Sequence, residues 1–180
     1  MSNHNNNTQN TNNKYNFNRK RNSDDDEYEY KFVDPDPNIK RITSKEINVK
    51  SVLDSMDNTG DFGATVLFIG TVRNYGNNGQ VMGMSYEAYV GMAEERIKNI
   101  EIEVKKKWDV REIRVVHRVG DLNIGDNSIT IAISTPHSKD AFDASQFILN
   151  KVKQEVPIWK NEMLLDGNTK WVRGKDLQRQ

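Results

Sequence analysis

Gly63-Ala64-Thr65-Val66-Leu67-Phe68-Ile69-Gly70-Thr71-Val72-Arg73 is the stretch whose reading decides the fold. It is β-branched and apolar, and such a run predicts a strand with at least one buried face. Turn formers follow at once in Asn74-Tyr75-Gly76-Asn77-Asn78-Gly79, and Val81 to Tyr89 reads as the strand returning from a hairpin. The loop after Gly70 lacks the spacing of a phosphate-cradling glycine fingerprint, which argues against nucleotide binding of that type. Short, hairpin-like connections favour an α+β fold with a mainly antiparallel sheet and packed helices over a doubly wound parallel one.

Working back toward the N-terminus, Val49, Val52, Leu53 and Met56 predict a short amphipathic helix, with Ser44 capping a turn before it and Asp57 to Asp61 stopping it. Residues 1–40 differ in kind. Asn dominates up to Asn22, then come Ser23-Asp24-Asp25-Asp26-Glu27 and Asp34-Pro35-Asp36-Pro37. So few apolar side chains cannot offset the entropy of ordering the chain, and the composition predicts a disordered Asn-rich and acidic tail ahead of one folded domain over 41–180.

Toward the C-terminus, Met92, Ile97, Ile100, Val104 and Trp108 recur at three-to-four spacing and predict a helix over 91–108. Lys105-Lys106-Lys107 lies in its last turn, where cations complement the helix dipole. Strands follow over 113–119 and 128–135, joined by Gly120 to Asp126. A second helix is predicted over 139–154, with Ser138 as N-cap, Asp140 in its first turn, and Ala141, Phe142, Ala144, Phe147, Ile148 and Val152 as its apolar stripe. Two short strands, 162–165 and 170–172, flank Asp166-Gly167-Asn168.

Composition removes several function classes. Lys+Arg and Asp+Glu both number 26, so no global field points to nucleic acid or an anionic membrane. No apolar run approaches the roughly 20 residues of a membrane span, and Met1-Ser2-Asn3-His4-Asn5 lacks the basic and apolar regions of a secretory signal. Both features predict a cytosolic protein. With no cysteine the chain supplies no thiolate, persulfide or Cys-ligated metal. Its three histidines, at 4, 117 and 137, show no metal-ligand spacing. Sulfur or redox chemistry must therefore arrive with a partner or a substrate.

Candidate chemistry gathers at element ends. Lys153-Gln154-Glu155-Val156-Pro157-Ile158-Trp159-Lys160 holds two lysines around a proline. Pro157 ends the helix, so Lys153 sits on its last turn and Lys160 follows a change of direction, with Trp159 beside it. Two cations on a rigid bend suit an anion, or lower one another's pKa. Arg73 ends the first strand, and His137 precedes a helix N-terminus whose free N–H groups suit an anion. His137 and Lys153 lie 16 residues apart on one helix, roughly 24 Å at 1.5 Å per residue. Either the substrate is extended or a second subunit completes the site.

Over about residues 42 to 175 the sequence resembles the catalytic (large) subunit of molybdopterin synthase. The resemblance is carried by Gly63-Ala64 leading to Phe68 through Arg73, by Tyr86-Glu87-Ala88-Tyr89 with Met92-Ala93, and by His117-Arg118-Val119-Gly120. The segments His137 to Phe142 and Val156 to Glu162 complete it. It implies an α+β fold with a hammerhead-like subdomain. It also implies an enzyme of molybdenum cofactor biosynthesis, a sulfurtransferase that forms the dithiolene of molybdopterin from cyclic pyranopterin monophosphate. The sulfur comes from the C-terminal thiocarboxylate of a small ubiquitin-like partner subunit. Large subunits dimerise within a heterotetramer and share residues across the dimer, and no metal or cofactor is implied for this step.

Carried over by motif, Lys153 and Lys160 match the catalytic lysines, and Arg73, His137, Asn161 and Glu162 match the substrate pocket. The family arginine after the histidine is Ser138 here, with Lys139 next, and the often basic residue after the motif lysine is Asn161. Losing that arginine removes a planar, always-charged fork suited to phosphate. Either Lys139 swings in or anion affinity is reduced. Arg173 and Lys175 are candidates to reach across the dimer. The implied chemistry develops negative charge that cations stabilise. A lysine with its pKa lowered by a neighbouring cation would instead act as base or nucleophile. A contrasting expectation is a non-catalytic subunit that binds the partner's tail or a pterin phosphate.

Overall fold

A computed structural model describes residues 40–56, 60–76 and 79–172. The predicted tail, apart from Lys40, and the candidates Arg173 and Lys175 lie outside the described residues. In chain order the elements are β1 (Ile42–Thr43), α1 (Val49–Asp54), β2 (Ala64–Thr71), β3 (Tyr75–Gly76), β4 (Gly79–Ala88) and α2 (Val90–Lys107). Then come β5 (Glu112–Arg118), β6 (Gly120–Asn123), β7 (Asn127–Thr135), α3 (Ser138–Glu155), β8 (Ile158–Leu164) and β9 (Thr169–Val172). The strands form two sheets, one ordered β1-β5-β7-β2, the other β3-β4-β8-β9 with β6 also on β4. Only β1 and β5 pair in parallel, so the fold is α+β and mainly antiparallel.

The main core lies between the first sheet and two helices. Ala93, Ile97, Ile100 and Val104 of α2 and Ala141, Ala144, Ile148 and Val152 of α3 pack on Ile113, Val115, Ile129, Ile131 and Ile133. Each fully buried isoleucine contributes about 1.5–3 kcal/mol of transfer free energy. On the opposite face α1 places Val52 against Ile47, Val116 and Ala132. A third cluster, Val72, Met84 and Leu122 with Tyr86 at its margin, draws on β4 and β6 of the second sheet.

Several expectations are corrected. The strand from Ala64 does not form a hairpin with the strand ending at Ala88. It pairs antiparallel with β7, Ala64 opposite Thr135 and Phe68 opposite Ile131. The physical reason is burial: β7 is buried on both faces and needs a partner on each edge, and Val66 and Phe68 extend its core face. The turn-rich loop instead forms the tight pair of β3 with β4. The connection Gly120 to Asp126 contains β6, whose one buried residue is Leu122. Asn48 caps α1 by accepting from Ser51 N at 3.0 Å. His137, not Ser138, is the N-cap of α3 and makes no side-chain cap bond. Met92 and Phe142 are exposed and leave the apolar stripes, while Ala93 joins one. β8 begins at Ile158, earlier than predicted, so Lys160 lies within a strand.

Candidate active site

The proline bend is built as its residues dictate. α3 runs unbroken to Glu155, with Lys153 in its last turn. Val156 is extended (φ −84°, ψ 127°), as a residue before proline prefers, and its N–H bonds Val152 O at 3.3 Å. Tyr89 N donates to Pro157 O, also at 3.3 Å, tying the bend to the end of β4. Only Val156 and Pro157 separate α3 from β8.

Lys160 lies opposite Tyr86 of β4 on one side and Val172 of β9 on the other. Pairing on both edges fixes its backbone without burying its side chain. Successive strand residues point to opposite faces. Lys160 and Glu162 therefore share one face with Tyr86 and Met84, and Trp159 and Asn161 take the other. One expectation falls here. Trp159 does not flank Lys160; it is 46% exposed and meets the Tyr89 ring edge-on, centroids 5.4 Å apart. Asn161 shares that opposite face, and its Oδ1 is buried without a hydrogen-bond partner.

Glu162 does share the Lys160 face, but only 2% of it is exposed. Its carboxylate lies so close under Gly76 that any Cβ there would collide with it. Glu162 thus supports the β3–β4 turn from beneath. Arg73 stands two residues past β2, with its guanidinium carbon 4.6 Å from the Tyr75 ring centroid.

Between Arg73 and Lys160 lies a residue to which the sequence assigned no role. Tyr86 hydrogen-bonds Ser128, whose hydroxyl donates to Gly70 O at 2.9 Å. Burial pushes the phenol above its ordinary range, outweighing the Ser128 bond and the nearby Arg73 charge, which both pull it down. Its ring meets His117 edge-on at 5.1 Å. His117 is buried, its Nδ1 lies 2.8 Å from Arg118 O, and burial lowers its pKa to about 4. An uncharged wall therefore stands behind Tyr86. The cross-strand register with Lys160 is what singles Tyr86 out, and a single sequence does not reveal non-local register.

His137, Ser138 and Lys139 lie elsewhere. All three are exposed at the start of α3. Thr135 Oγ1 donates to His137 O at 2.7 Å, and the His137 side chain makes no cap bond to the helix. Lys139 is ion-paired with Asp143 one turn on, and that hydrogen bond raises its pKa and keeps it a cation. The antiparallel register sets Thr71 beside Asn127 and Ala64 beside Thr135. Arg73 and His137 thus lie at opposite ends of a nine-residue strand, roughly 25–30 Å apart at 3.3 Å per residue. α3 packs back along β7 and β2, which brings its Lys153 end toward Arg73. One protomer therefore holds two groups: Arg73, Tyr86, Lys153, Lys160 and Glu162 at one end, and His137, Ser138 and Lys139 at the other. Among the described residues no cluster of His, Cys, Asp or Glu is placed to hold a metal, and no helix is long and apolar enough to cross a membrane.

The MoaE protein family model matches residues 42–155. The chain is 37% identical over 131 residues to the molybdopterin synthase catalytic subunit of Bacillus subtilis, covering 73% of this chain and 82% of that one. The crystal structure of molybdopterin synthase from Staphylococcus aureus superposes with a TM-score of 0.68 at 35% identity, over 73% of this chain and 95% of that one. A complex of subunits 1 and 2 of the Helicobacter pylori molybdopterin-converting factor shares the fold, with a TM-score of 0.59 at 21% identity over 76% of this chain and 90% of that one.

Proposed function

The chain belongs to the MoaE family of molybdopterin synthase catalytic subunits, which act in molybdenum cofactor biosynthesis, and on that premise we propose how its residues work. A small ubiquitin-like partner subunit presents a C-terminal thiocarboxylate. Its sulfur bonds to a side-chain carbon of cyclic pyranopterin monophosphate as an oxygen leaves that carbon, in one transfer the phosphate ester oxygen and in the other an oxygen lost as water. Water then cleaves the resulting thioester, leaving the sulfur on the pterin side chain and releasing the partner's tail as a carboxylate. Two such transfers, with opening of the cyclic phosphate linkage, leave the dithiolene of molybdopterin. The reaction runs in the cytosol, and the sulfur is the partner's because the chain has no cysteine of its own.

What supports this reading is that Arg73 lies near Tyr86, that Tyr86 is the cross-strand partner of Lys160, and that Lys153 stands in the last turn of α3 just before the proline bend. Thiocarboxylate, phosphate and the transition states between them are anionic, and preorganised cations stabilise such charge most where water is excluded. Lys160, held on a doubly paired strand, and Lys153, on the last turn of α3, stabilise that charge and carry protons. Arg73 binds phosphate or pterin oxygens through its fork of N–H donors. Glu162 shapes this side of the pocket. Asn161 acts through the opposite face of the sheet.

His137, Ser138 and Lys139 belong to the same reaction but not to the same protomer's corner. The separation along α3 and β7 supports a twofold dimer of large subunits in which each His137 end faces the neighbour's Lys160 corner. Such a dimer makes two equivalent composite sites. In that arrangement the open N-terminus of α3 offers N–H groups to an anion. His137 donates a hydrogen bond or moves a proton. A small subunit at each end gives the heterotetramer.

The test is reconstitution with thiocarboxylated small subunit and pterin precursor, scored for product. Lys160→Ala and Lys153→Ala each lose about 10²–10³-fold in turnover while folding and dimerising as the wild type does. Wild-type turnover in both variants overturns the assignment. A second reading has one observation behind it: Ser138 brings no charge, and Lys139 is already engaged by Asp143. A subunit that binds the partner's tail or a pterin phosphate without turnover would give a complex and no product in the same experiment.

A further inference from the structure

We propose that Tyr75 is a positioning residue for Arg73, and that the β3–β4 turn ties this arginine to the strand carrying Lys160. The inference rests on the reading of Arg73 as the anion-binding arginine.

Among the described residues Arg41, Arg96, Arg111, Arg114 and Arg118 all hold carboxylates in ion pairs. Arg73 differs from every one of them. Its guanidinium lies over the face of Tyr75, 4.6 Å from the centroid. A carboxylate partner would occupy the N–H fork that an incoming phosphate needs. An aromatic face holds the cation from the side and leaves the in-plane N–H groups open. Tyr75 is 57% exposed and belongs to none of the three apolar clusters, so burial does not explain an aromatic residue at this position.

The turn that carries Tyr75 is itself held. Tyr75 pairs with Gln80 and Gly76 with Gly79, and Val81 N donates to Asn74 O at 3.1 Å. Beneath it lies the buried carboxylate of Glu162, close enough that a Cβ at position 76 would displace it. Glu162 is two residues from Lys160 on the same face of β8. The contacts run from Lys160's own strand through Glu162 and Gly76 to Tyr75, and from Tyr75 to Arg73. A long, flexible cation is thereby given a set place relative to the reacting lysine.

The experiment uses the full-length chain reconstituted with thiocarboxylated small subunit, and measures KM for the pterin precursor, kcat and Tm. Tyr75→Leu removes the ring face, and its KM rises about 2- to 5-fold, the effect of losing an exposed cation–π contact, with Tm unchanged. Tyr75→Phe keeps the face and restores the wild-type KM. Arg73→Ala is the control for the underlying reading and raises KM at least as much. If Arg73→Ala raises KM and Tyr75→Leu does not, the positioning role is wrong and the proposed function stands. If Arg73→Ala leaves KM unchanged, the reading of Arg73 itself fails. A Tyr75→Phe as impaired as Tyr75→Leu, or a Tm loss that tracks the KM change, also overturns the positioning role.

Discussion

β7 and β8 are both interior strands, hydrogen-bonded along two edges, yet they are opposites in burial. In β7 eight of nine residues are buried. In β8 one of seven is, and that residue is Glu162. The first sheet is closed by α2 and α3 on one face and by α1 on the other, so its centre tolerates only apolar side chains and a few satisfied hydroxyls. The five-stranded sheet leaves Trp159, Trp171 and Met82 exposed. Its strands present side chains instead of sealing them. Pairing along both edges gives the Lys160 backbone a defined position in a strand that is largely unburied, and positional precision therefore does not require burial. A cation whose work needs contact with an anion is better placed on β8 than on β7.

The comparison breaks most directly at its centre. Ile131 is fully buried on β7 between Phe68 and Val115. Ile131→Ala removes buried methyl groups and leaves a cavity, a loss of about 2–5 kcal/mol in denaturant unfolding. On β8, Trp159→Ala discards a larger side chain, but one that is 46% exposed and meets Tyr89 edge-on, and the loss is smaller, about 1–2 kcal/mol. Equal losses would mean that the second sheet is as much a load-carrying core as the first.

A smaller effect tests the seam between the sheets. His117 belongs to β5, but its ring lies against Tyr86 of β4. Burial lowers its pKa from the ordinary 6.5 to about 4. Between those values the unfolded chain binds a proton that the folded chain refuses, so stability falls as pH drops from about 6.5 and the loss levels off below about 4. The full shift corresponds to about 3 kcal/mol. His117→Gln loses this component, so its stability between pH 7 and pH 4.5 declines less than that of the wild type. Parallel declines would show that His117 takes up its proton without opening the seam.

The contrast between β7 and β8 also divides what was legible in the sequence. The strand over 128–135 and the three-to-four stripes of the helices follow from local periodicity, and the burial of Ile97, Ile100, Ile148 and Val152 agrees with it. Met92 and Phe142 escaped that logic because each lies within the first five residues of its helix, and periodicity does not say where the covering sheet ends. The partner of Ala64–Thr71 was misread because nearness in the chain favours a hairpin, whereas the burial demand of β7 comes from residues some sixty positions on. β6 has one apolar side chain to announce it. At the site, Pro157 made the bend and the place of Lys153 readable. The facing of Lys160, Tyr86 and Glu162 depends on non-local register, and strand alternation turns Trp159 away from the Lys160 neighbour expected of it. The roles of the lysines came from the family resemblance and not from spacing.

The smallest predicted effect lies where the two sheets meet through one hydrogen bond. Ser128 belongs to β7 and its hydroxyl proton is given to Gly70 O, so toward Tyr86 it accepts, and the phenol of β4 is the donor. Tyr86→Phe deletes that donor and keeps the ring against His117. A neutral hydrogen bond of this kind contributes about 0.5–1.5 kcal/mol, and the unfolding free energy of the variant falls by that amount. Ser128→Ala removes the acceptor from the other sheet, and the double variant shows the coupling between them. If the two losses are not additive, the phenol–hydroxyl bond joins the presenting sheet to the sealed one. If they add fully, the second sheet takes its position from Val72, Met84 and Leu122 alone, and Tyr86 serves only as a spacer between Arg73 and Lys160.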